Sequence, residues 1–536
     1  MEATPGMLVS ATQTRTITPG IAVAALFVFV LGIILRIVAL GREGLWMDEI
    51  YSVTFASMPF VDTLVAVLRF DVHPPLYYLQ LGAWGAIGHS DRWLTLNSVM
   101  WSAVTLLGVF FGTTRRFGAT AGLLALCFCA VMGSELYFAE QLRMYSMLSC
   151  LTVLSWIAAD RLREDYRFGV GVPMLLLLIL LSMVHSLSLI PISAVLLYIF
   201  PWDSTRRLLL TWTGFAAIAG AALLPWIVIA GLRHPHPAPS LSIQALEQTV
   251  GGWLVGYGDA MLPPWALSLA FALVAVLLLT LLLTARWLSR FTCCFILWPL
   301  LFGGLLQVAI YPIWFVDRTF AFCAPFLAVA GGALLGRAIE SGASANNATA
   351  RYSGIGTVFA VFAALAWAGY LQAVTPHKMQ YREASAYLRQ HMRTGELIYA
   401  PEMATFWGIA RYLIATDWGS ALRIQDPSNP DRSAVWPRIY AHLGADRLKL
   451  LHLVPDTRRL DGPVGPLIVG WTPFPELQTT ASYWVIVTDG VNLSDLHLCT
   501  LQNVESVAFG KQIDTIAYIG LVANHVHCKI DVMANQ

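Results

Sequence analysis

Charge is what this chain has least of. Only 12% of its 536 residues are Asp, Glu, Lys or Arg, while 57% are hydrophobic. A soluble enzyme of this length needs far more charge on its surface, so that class is excluded. The formal net charge is +1. With no basic field, nucleic acid is excluded as a partner. Cysteine is scarce too, eight in all. Six sit in or near apolar runs and read as small core residues. No Cys/His spacing of a metal site is present, and no internal repeat marks an array.

Long apolar runs, by contrast, are plentiful. A membrane helix needs about 20 apolar residues. Eleven candidate spans lie near 17–40, 92–112, 119–137, 144–160, 168–185, 187–201, 208–231, 264–285, 291–311, 319–339 and 353–373. Alternate loops carry Arg115 and Arg116, then Arg161, Arg163 and Arg167, then Arg206 and Arg207, then Arg286 and Arg290, then Arg337 and Arg351. The positive-inside rule makes these loops cytoplasmic. The N-terminus is then inside, and an odd number of spans puts the C-terminus outside. The first run exceeds a signal-peptide core and has no small-x-small cleavage site after it, so it reads as a retained helix.

Three segments lie on the external side: 41–91, 232–263 and the tail. Residues 376–536 carry much more charge and no spanning run. "QYREASAYLRQHMR" (380–393) has helical spacing, and "ELIYAP" (396–401), "PLIVGW" (466–471) and "YWVIVTD" (483–489) read as strands. The expected organisation is a membrane domain, 1–375, followed by an external α/β domain, 376–536. Residues 341–350 read as a polar cytoplasmic linker. Cys499 and Cys528 both fall in the tail, where an oxidising compartment allows them to pair.

The first external loop holds the unusual chemistry. "PFVDTLVAVLRF" (59–70) reads as an interfacial helix, with Asp62 and Arg69 in water and Leu64, Val65, Val67 and Leu68 against lipid. Trp46, Tyr51, Tyr77, Tyr78 and Trp84 suit an aromatic belt. Asp48, Glu49, Asp71 and His73 are harder to place, because carboxylates beside a bilayer are costly unless they face water or a partner. His73 precedes two prolines, which hold it extended. A simple turn accounts for that stretch equally well.

"WMDEIYS" (46–52) followed by "DVHPPLYYLQLGAWG" (71–85) resembles the first external loop of the GT-C membrane glycosyltransferases. The resemblance is to the family 39-like branch, which includes aminoarabinose-transferase-like and protein O-mannosyltransferase-like enzymes. "SELYFAEQLRMYSML" (134–148) resembles that family's E-x-x-R-M-Y element. "YPIWFVDRTFAFCAPFLAVAGG" (311–332) resembles its R-Y-x-x-x-x-x-P element, with Thr319 where Tyr is usual. The tail from "YREASAYLR" resembles the external domain of many members. The resemblance implies a GT-C fold of about 11 transmembrane helices in a bacterial inner (plasma) membrane. It also implies transfer of a sugar from a polyprenyl-phosphate donor to an acceptor hydroxyl outside the membrane, with inversion. The acceptor is a glycan, a lipid or a protein.

Chemistry agrees with that implication. An attacking hydroxyl must lose a proton, and a carboxylate can take it. Asp48 is the candidate base. Glu49 either positions the acceptor or tunes Asp48 through its neighbouring charge. The departing lipid phosphate calls for cations, and arginine grips phosphate oxygens in pairs. Arg143 and Arg318, at external span ends, are the candidates; snorkelling is the plainer account of each alone. Glu140, Tyr145, Asp71, His73 and His185 complete the candidate donor site. Glu140 and Arg143, three apart, also suit a helical ion pair. Arg36 reads as snorkelling from the first span. Arg233, His234 and His236 open a proline-stiffened second loop, and Asp259 suits a turn. No D-x-D stands in the first loop, so no obligate metal is expected; a divalent cation such as Mg or Mn shared by Asp48 and Glu49 is the alternative. A transporter or flippase would place charges mid-span and show repeat symmetry. Here the polar residues gather on one side instead. A non-catalytic scaffold leaves the first-loop motifs without a purpose.

Overall fold

The computed structural model describes residues 17–38, 40–202, 206–233, 241–256, 264–310, 317–344, 348–374, 378–393, 396–400 and 403–413, and in the tail 424–425, 433–434, 458–461, 466–469, 482–488, 493, 501–509 and 521–528. His234, His236, Asp259, Cys499 and residues 311–316 lie outside these. So do the side chains of Arg69, Arg233 and Cys528.

In chain order the helices are α1 (Pro19–Val38), α2 (Met47–Ala56), α3 (Phe60–Phe70), α4 (Leu76–Gly85), α5 (Asp91–Phe117), α6 (Ala119–Val131), α7 (Gly133–Ala139), α8 (Tyr145–Glu164), α9 (Phe168–Ser182), α10 (Leu189–Tyr198), α11 (Arg206–Arg233), α12 (Ile243–Val255), α13 (Pro264–Thr284), α14 (Arg286–Thr292), α15 (Trp298–Leu305), α16 (Cys323–Ser344), α17 (Ala348–Val374), α18 (Tyr381–His391) and α19 (Met403–Leu413). A wider π-helical turn at Cys293–Leu297 joins α14 to α15, and a second at Leu306–Ile310 follows α15. Every expected span contains helix. Among the described residues, six helices are long and apolar enough to cross a membrane, or seven if the pair α6 and α7, bent by 59°, counts as one. The chain is a multi-pass membrane protein, while the count of eleven stays an expectation. Among the described residues, shorter apolar helices are α9, α10 and the Phe359–Leu371 part of α17. The expected linker at 341–350 is largely helix, since α16 runs to Ser344 and α17 starts at Ala348.

The chain forms two compact units. One holds residues up to Ala39, Ser98–Tyr257 and Leu262–Val374; the other holds Leu40–Asn97, Gly258–Met261 and Thr375–Gln536. The first external loop thus shares a unit with the tail.

In the first unit, lipid supplies no hydrophobic drive between helices, so close packing must hold them. A Cβ on Gly332 would lie 2.6 Å from the Ala125 nitrogen, and one on Gly336 would lie 2.9 Å from Ala121. This small-residue seam joins α6 to α16. Arginines gather at shared helix ends. Arg115 pairs with Glu164, Arg116 lies 3.5 Å from Asp160, and Tyr198 donates to Asp160 at 2.7 Å. Arg163 covers the Tyr198 ring at 4.6 Å. The ends of α5, α8 and α10 therefore meet, as the alternating arginine loops require.

Arg36 does not snorkel. It is fully buried, donating to Ser102 Oγ at 2.8 Å and to the carbonyls of Gly32, Ala130 and Cys129 at 2.9, 3.0 and 3.2 Å. α6 ends at Val131 because Met132 is extended (φ −60°, ψ 128°). The last carbonyls of a helix have no partner within it, and Arg36 supplies one.

In the second unit, α3 forms as expected, but its faces differ from the expectation. Asp62 is exposed, yet Val67 is buried, and the exposed apolar residues are Phe60, Val61 and Val65. The reason is packing: Thr63, on the Val67 side, donates to the Phe55 carbonyl at 2.9 Å and to the Met58 carbonyl at 3.1 Å. α2 and α4 approach so closely that a Cβ on Gly82 would lie 2.7 Å from the Ala56 oxygen.

The tail carries strands β1 (Leu397–Ala400), β2 (Ile424–Gln425), β3 (Ser433–Ala434), β4 (Arg458–Asp461), β5 (Pro466–Val469), β6 (Ser482–Thr488), β7 (Leu501–Phe509) and β8 (Leu521–Cys528). Six form one mixed sheet in the order β4-β5-β1-β6-β8-β7. β1 lies parallel to β5 and β6, with Ile398 opposite Leu467 and Trp484. All four β1 residues are buried, as in a strand covered on both faces.

Candidate active site

The acids of the first loop sit at the N-terminus of α2. Trp46 caps it in extended conformation, and Asp48 and Glu49 lie in the first turn, where negative charge complements the helix dipole. The two neighbours part sharply. Successive helical residues point about 100° apart, so one carboxylate enters the core and the other does not. Glu49 is fully buried: Oε2 accepts the Trp46 backbone N–H at 3.1 Å, and Oε1 accepts Lys378 Nζ at 2.8 Å. Asp48 is half-buried. Tyr51 follows one turn later. Burial, and next the Asp48 charge, push its hydroxyl up to about 12, so it stays protonated beside that acid.

Asp71 and His73 come together. Asp71 ends α3, and its Oδ1 accepts the backbone N–H groups of Val72 (2.6 Å) and His73 (3.0 Å). The carboxylate thus builds the turn that presents His73, and buried Pro74 and Pro75 lead into α4.

Side chains from the tail, missed in the sequence, hold this loop. The Lys378 backbone N–H donates to Glu43 Oε1 at 2.9 Å. Arg382 donates to the carbonyls of Gly41, at 3.0 Å, and Arg42. The Tyr412 hydroxyl accepts the Leu45 N–H at 2.6 Å and donates to Asp91 Oδ2 at 2.6 Å, while Arg411 pairs with Asp91 Oδ1. The only sequence signal was Arg382 within "YREASAYLR"; nothing in spacing pointed to the others.

A divalent cation between Asp48 and Glu49 does not fit. Both Glu49 oxygens already face donors, one of them an ammonium 2.8 Å away. A metal there would have to displace that charge. Among the described residues no group of three or more His, Cys, Asp or Glu is placed to hold a metal.

The remaining candidates belong to the first unit. Glu140 ends α7 and Arg143 lies in the non-helical turn before α8, so the helical ion-pair reading is corrected. Both are buried, at 5% and 7% exposure. The turn is pinned by Ser98 Oγ donating to the Gln141 carbonyl at 2.6 Å and Ser146 Oγ donating to the Phe138 carbonyl at 2.9 Å. Tyr145 opens α8 with its ring 6.0 Å from that of His185. His185 sits in the break between α9 and α10, and its Nδ1 accepts the Leu187 N–H at 3.0 Å. Accepting there leaves Nε2 as the protonated nitrogen of a neutral ring. Arg318 is half-buried in a single 3-10 turn, Asp317–Phe320, ahead of α16.

No protein family model and no curated protein matches the chain. Solved structures do. ArnT from Cupriavidus metallidurans in the apo state superposes with a TM-score of 0.53 at 13% identity, covering 94% of this chain and 98% of that one. The same protein bound to undecaprenyl phosphate gives 0.50 at 11% identity with the same coverage. The archaeal oligosaccharyltransferase AglB from Archaeoglobus fulgidus, in complex with an inhibitory peptide and a dolichol-phosphate, gives 0.45 at 11% identity over 74% of this chain and 64% of that one. The ArnT likeness spans nearly the whole of both chains, and this chain shares the ArnT fold.

Proposed function

We propose that the protein is an inverting glycosyltransferase that moves a sugar from a polyprenyl-phosphate donor to an acceptor hydroxyl on the extracytoplasmic face of the membrane. The observation that carries this reading is the division of labour in the acid pair. Glu49 is fully buried and bound to Lys378 and the Trp46 N–H, while Asp48 stands half-buried in the first turn of the same helix, where a carboxylate can take a proton. The full-length likeness to a fold with undecaprenyl phosphate bound in one neighbour supports the donor class.

In this reading Asp48 accepts the acceptor's proton as its oxygen attacks the anomeric carbon, and the phosphate leaves from the opposite face. Arg143 and Arg318 offset the charge that develops on it. Asp71 sets the backbone that carries His73, and Tyr145 and His185 line the donor side with Glu140. The charged arginine loops support a cytoplasmic N-terminus and an extracytoplasmic tail. Sugar transfer in proteoliposomes, with a panel of polyprenyl-phosphate sugars and membrane extract as acceptor, tests the proposal. Wild type should transfer at least one sugar. Asp48→Asn should lose about 10²- to 10⁴-fold, the usual contribution of a general base. Full activity in that variant overturns the assignment of Asp48.

A further inference from the structure

The tail reaches the acid-bearing helix through one buried charge. Lys378 lies between α17 and α18, and its Nζ meets Glu49 Oε1 at 2.8 Å, with side-chain exposures of 8% and 0%. The same residue's backbone binds Glu43, and Arg382, one turn along, holds the carbonyls of Gly41 and Arg42. The segment 41–49 is thus held at both ends, at 41–43 by the Lys378 backbone and Arg382 and at Glu49 by the Lys378 ammonium. The second Glu49 oxygen accepts the Trp46 N–H of its own helix.

We propose that Lys378 is a positioning residue for the transfer reaction, acting on Asp48 through Glu49. This rests on the transferase reading above. The chain of effect is short. The Lys378 ammonium makes a fully buried Glu49 carboxylate tolerable, because a buried ion without a partner is strongly disfavoured. The anchored Glu49 holds the first turn of α2 by the Trp46 N–H. The first turn fixes the backbone of Asp48, the next residue. Lys378 itself touches no substrate. The tail therefore serves as part of the frame that aims the base.

The test compares full-length wild type with Lys378→Met, Lys378→Arg and the double variant Lys378→Met/Glu49→Gln. Two readouts are taken: hydrogen exchange of the α2 amides, 47–56, and steady-state transfer kinetics in proteoliposomes. Lys378→Met should exchange faster at the first turn of α2 than wild type. Its kcat should fall by about 100-fold, the size of loss that a misplacement of about 1 Å brings, with the donor KM within about twofold. Lys378→Arg, which keeps the charge, should recover much of both. The double variant, which removes the stranded anion, should exchange more slowly than Lys378→Met. Unchanged exchange and unchanged kcat in Lys378→Met overturn the proposal, as does a loss confined to donor KM. If wild type transfers no sugar from any donor while Lys378→Met loosens α2, the transferase reading fails and the clamp stands.

Discussion

An arginine inside an apolar bundle is costly unless its donors are met. Arg36 meets them with one hydroxyl and three carbonyls, two of which the α6 break leaves without helical partners. Replacing it with Met keeps the length and removes the donors. Leaving a buried polar group unsatisfied costs about 1–3 kcal/mol, so Arg36→Met should lower the thermal unfolding midpoint in detergent by several degrees. Ser102→Ala, which removes one contact of four, should lower it less. A midpoint equal to wild type in both would show that the arginine does not hold the break. The same scale explains why Asp48 and Glu49 diverge. Their adjacency is plain in the sequence, but which of the two is buried depends on a lysine 329 positions away.

Among the elements, close helix contacts make sharp demands. A Cβ on Gly133, at the start of α7, would lie 2.3 Å from the Val255 carbonyl carbon at the end of α12. Backbone cannot yield there as a flexible side chain can, so Gly133→Ala should reduce the folded yield in membranes markedly, read by size-exclusion of the detergent-extracted protein. Gly356→Ala, where the Cβ meets nothing within 4 Å, serves as the matched control and should leave yield unchanged. In the tail sheet, Glu396 accepts from the Trp484 indole at 3.1 Å and faces His525 Nε2 at 3.1 Å. Burial alone would raise its carboxyl, but the Arg393 N–H, Trp484 and His525 together hold it below its ordinary value of 4.5. A lowered carboxylate stabilises the fold above its unfolded value and loses that contribution as pH falls through the folded one. The midpoint difference between wild type and Glu396→Gln should therefore be present at pH 7 and shrink on acidification below about 4.5. A difference that stays constant across that window would contradict the assignment. Helix and strand positions were legible because periodicity is local: α18 and strands β1, β5 and β6 fall where the pattern put them. β7 and β8 were not, since "LQNVESVAF" and "LVANHVHC" mix polar and apolar residues that only pairing with a neighbouring strand resolves.

Across the whole molecule, topology carries the strongest consequence. An alkaline phosphatase reporter fused after Gln536 should be active only if the tail is translocated, and the same reporter fused within the Arg115–Arg116 loop should be inactive. The reverse pattern would invert the orientation and remove the acid loop from the extracytoplasmic face. By itself the sequence determined that the chain enters a membrane, that a polar tail follows the last span, and that a resemblance to GT-C enzymes starts at "WMDEIYS". Run length, charge and short motifs are properties of neighbouring residues, so they survive without a fold. Only the tertiary structure decided that Arg36 is a buried tie, that Val67 faces inward, that Glu140 and Arg143 share no helix, and that Lys378 holds Glu49. Each of these depends on partners brought together across long stretches of chain, and no local pattern encodes which distant charge or carbonyl will stand opposite.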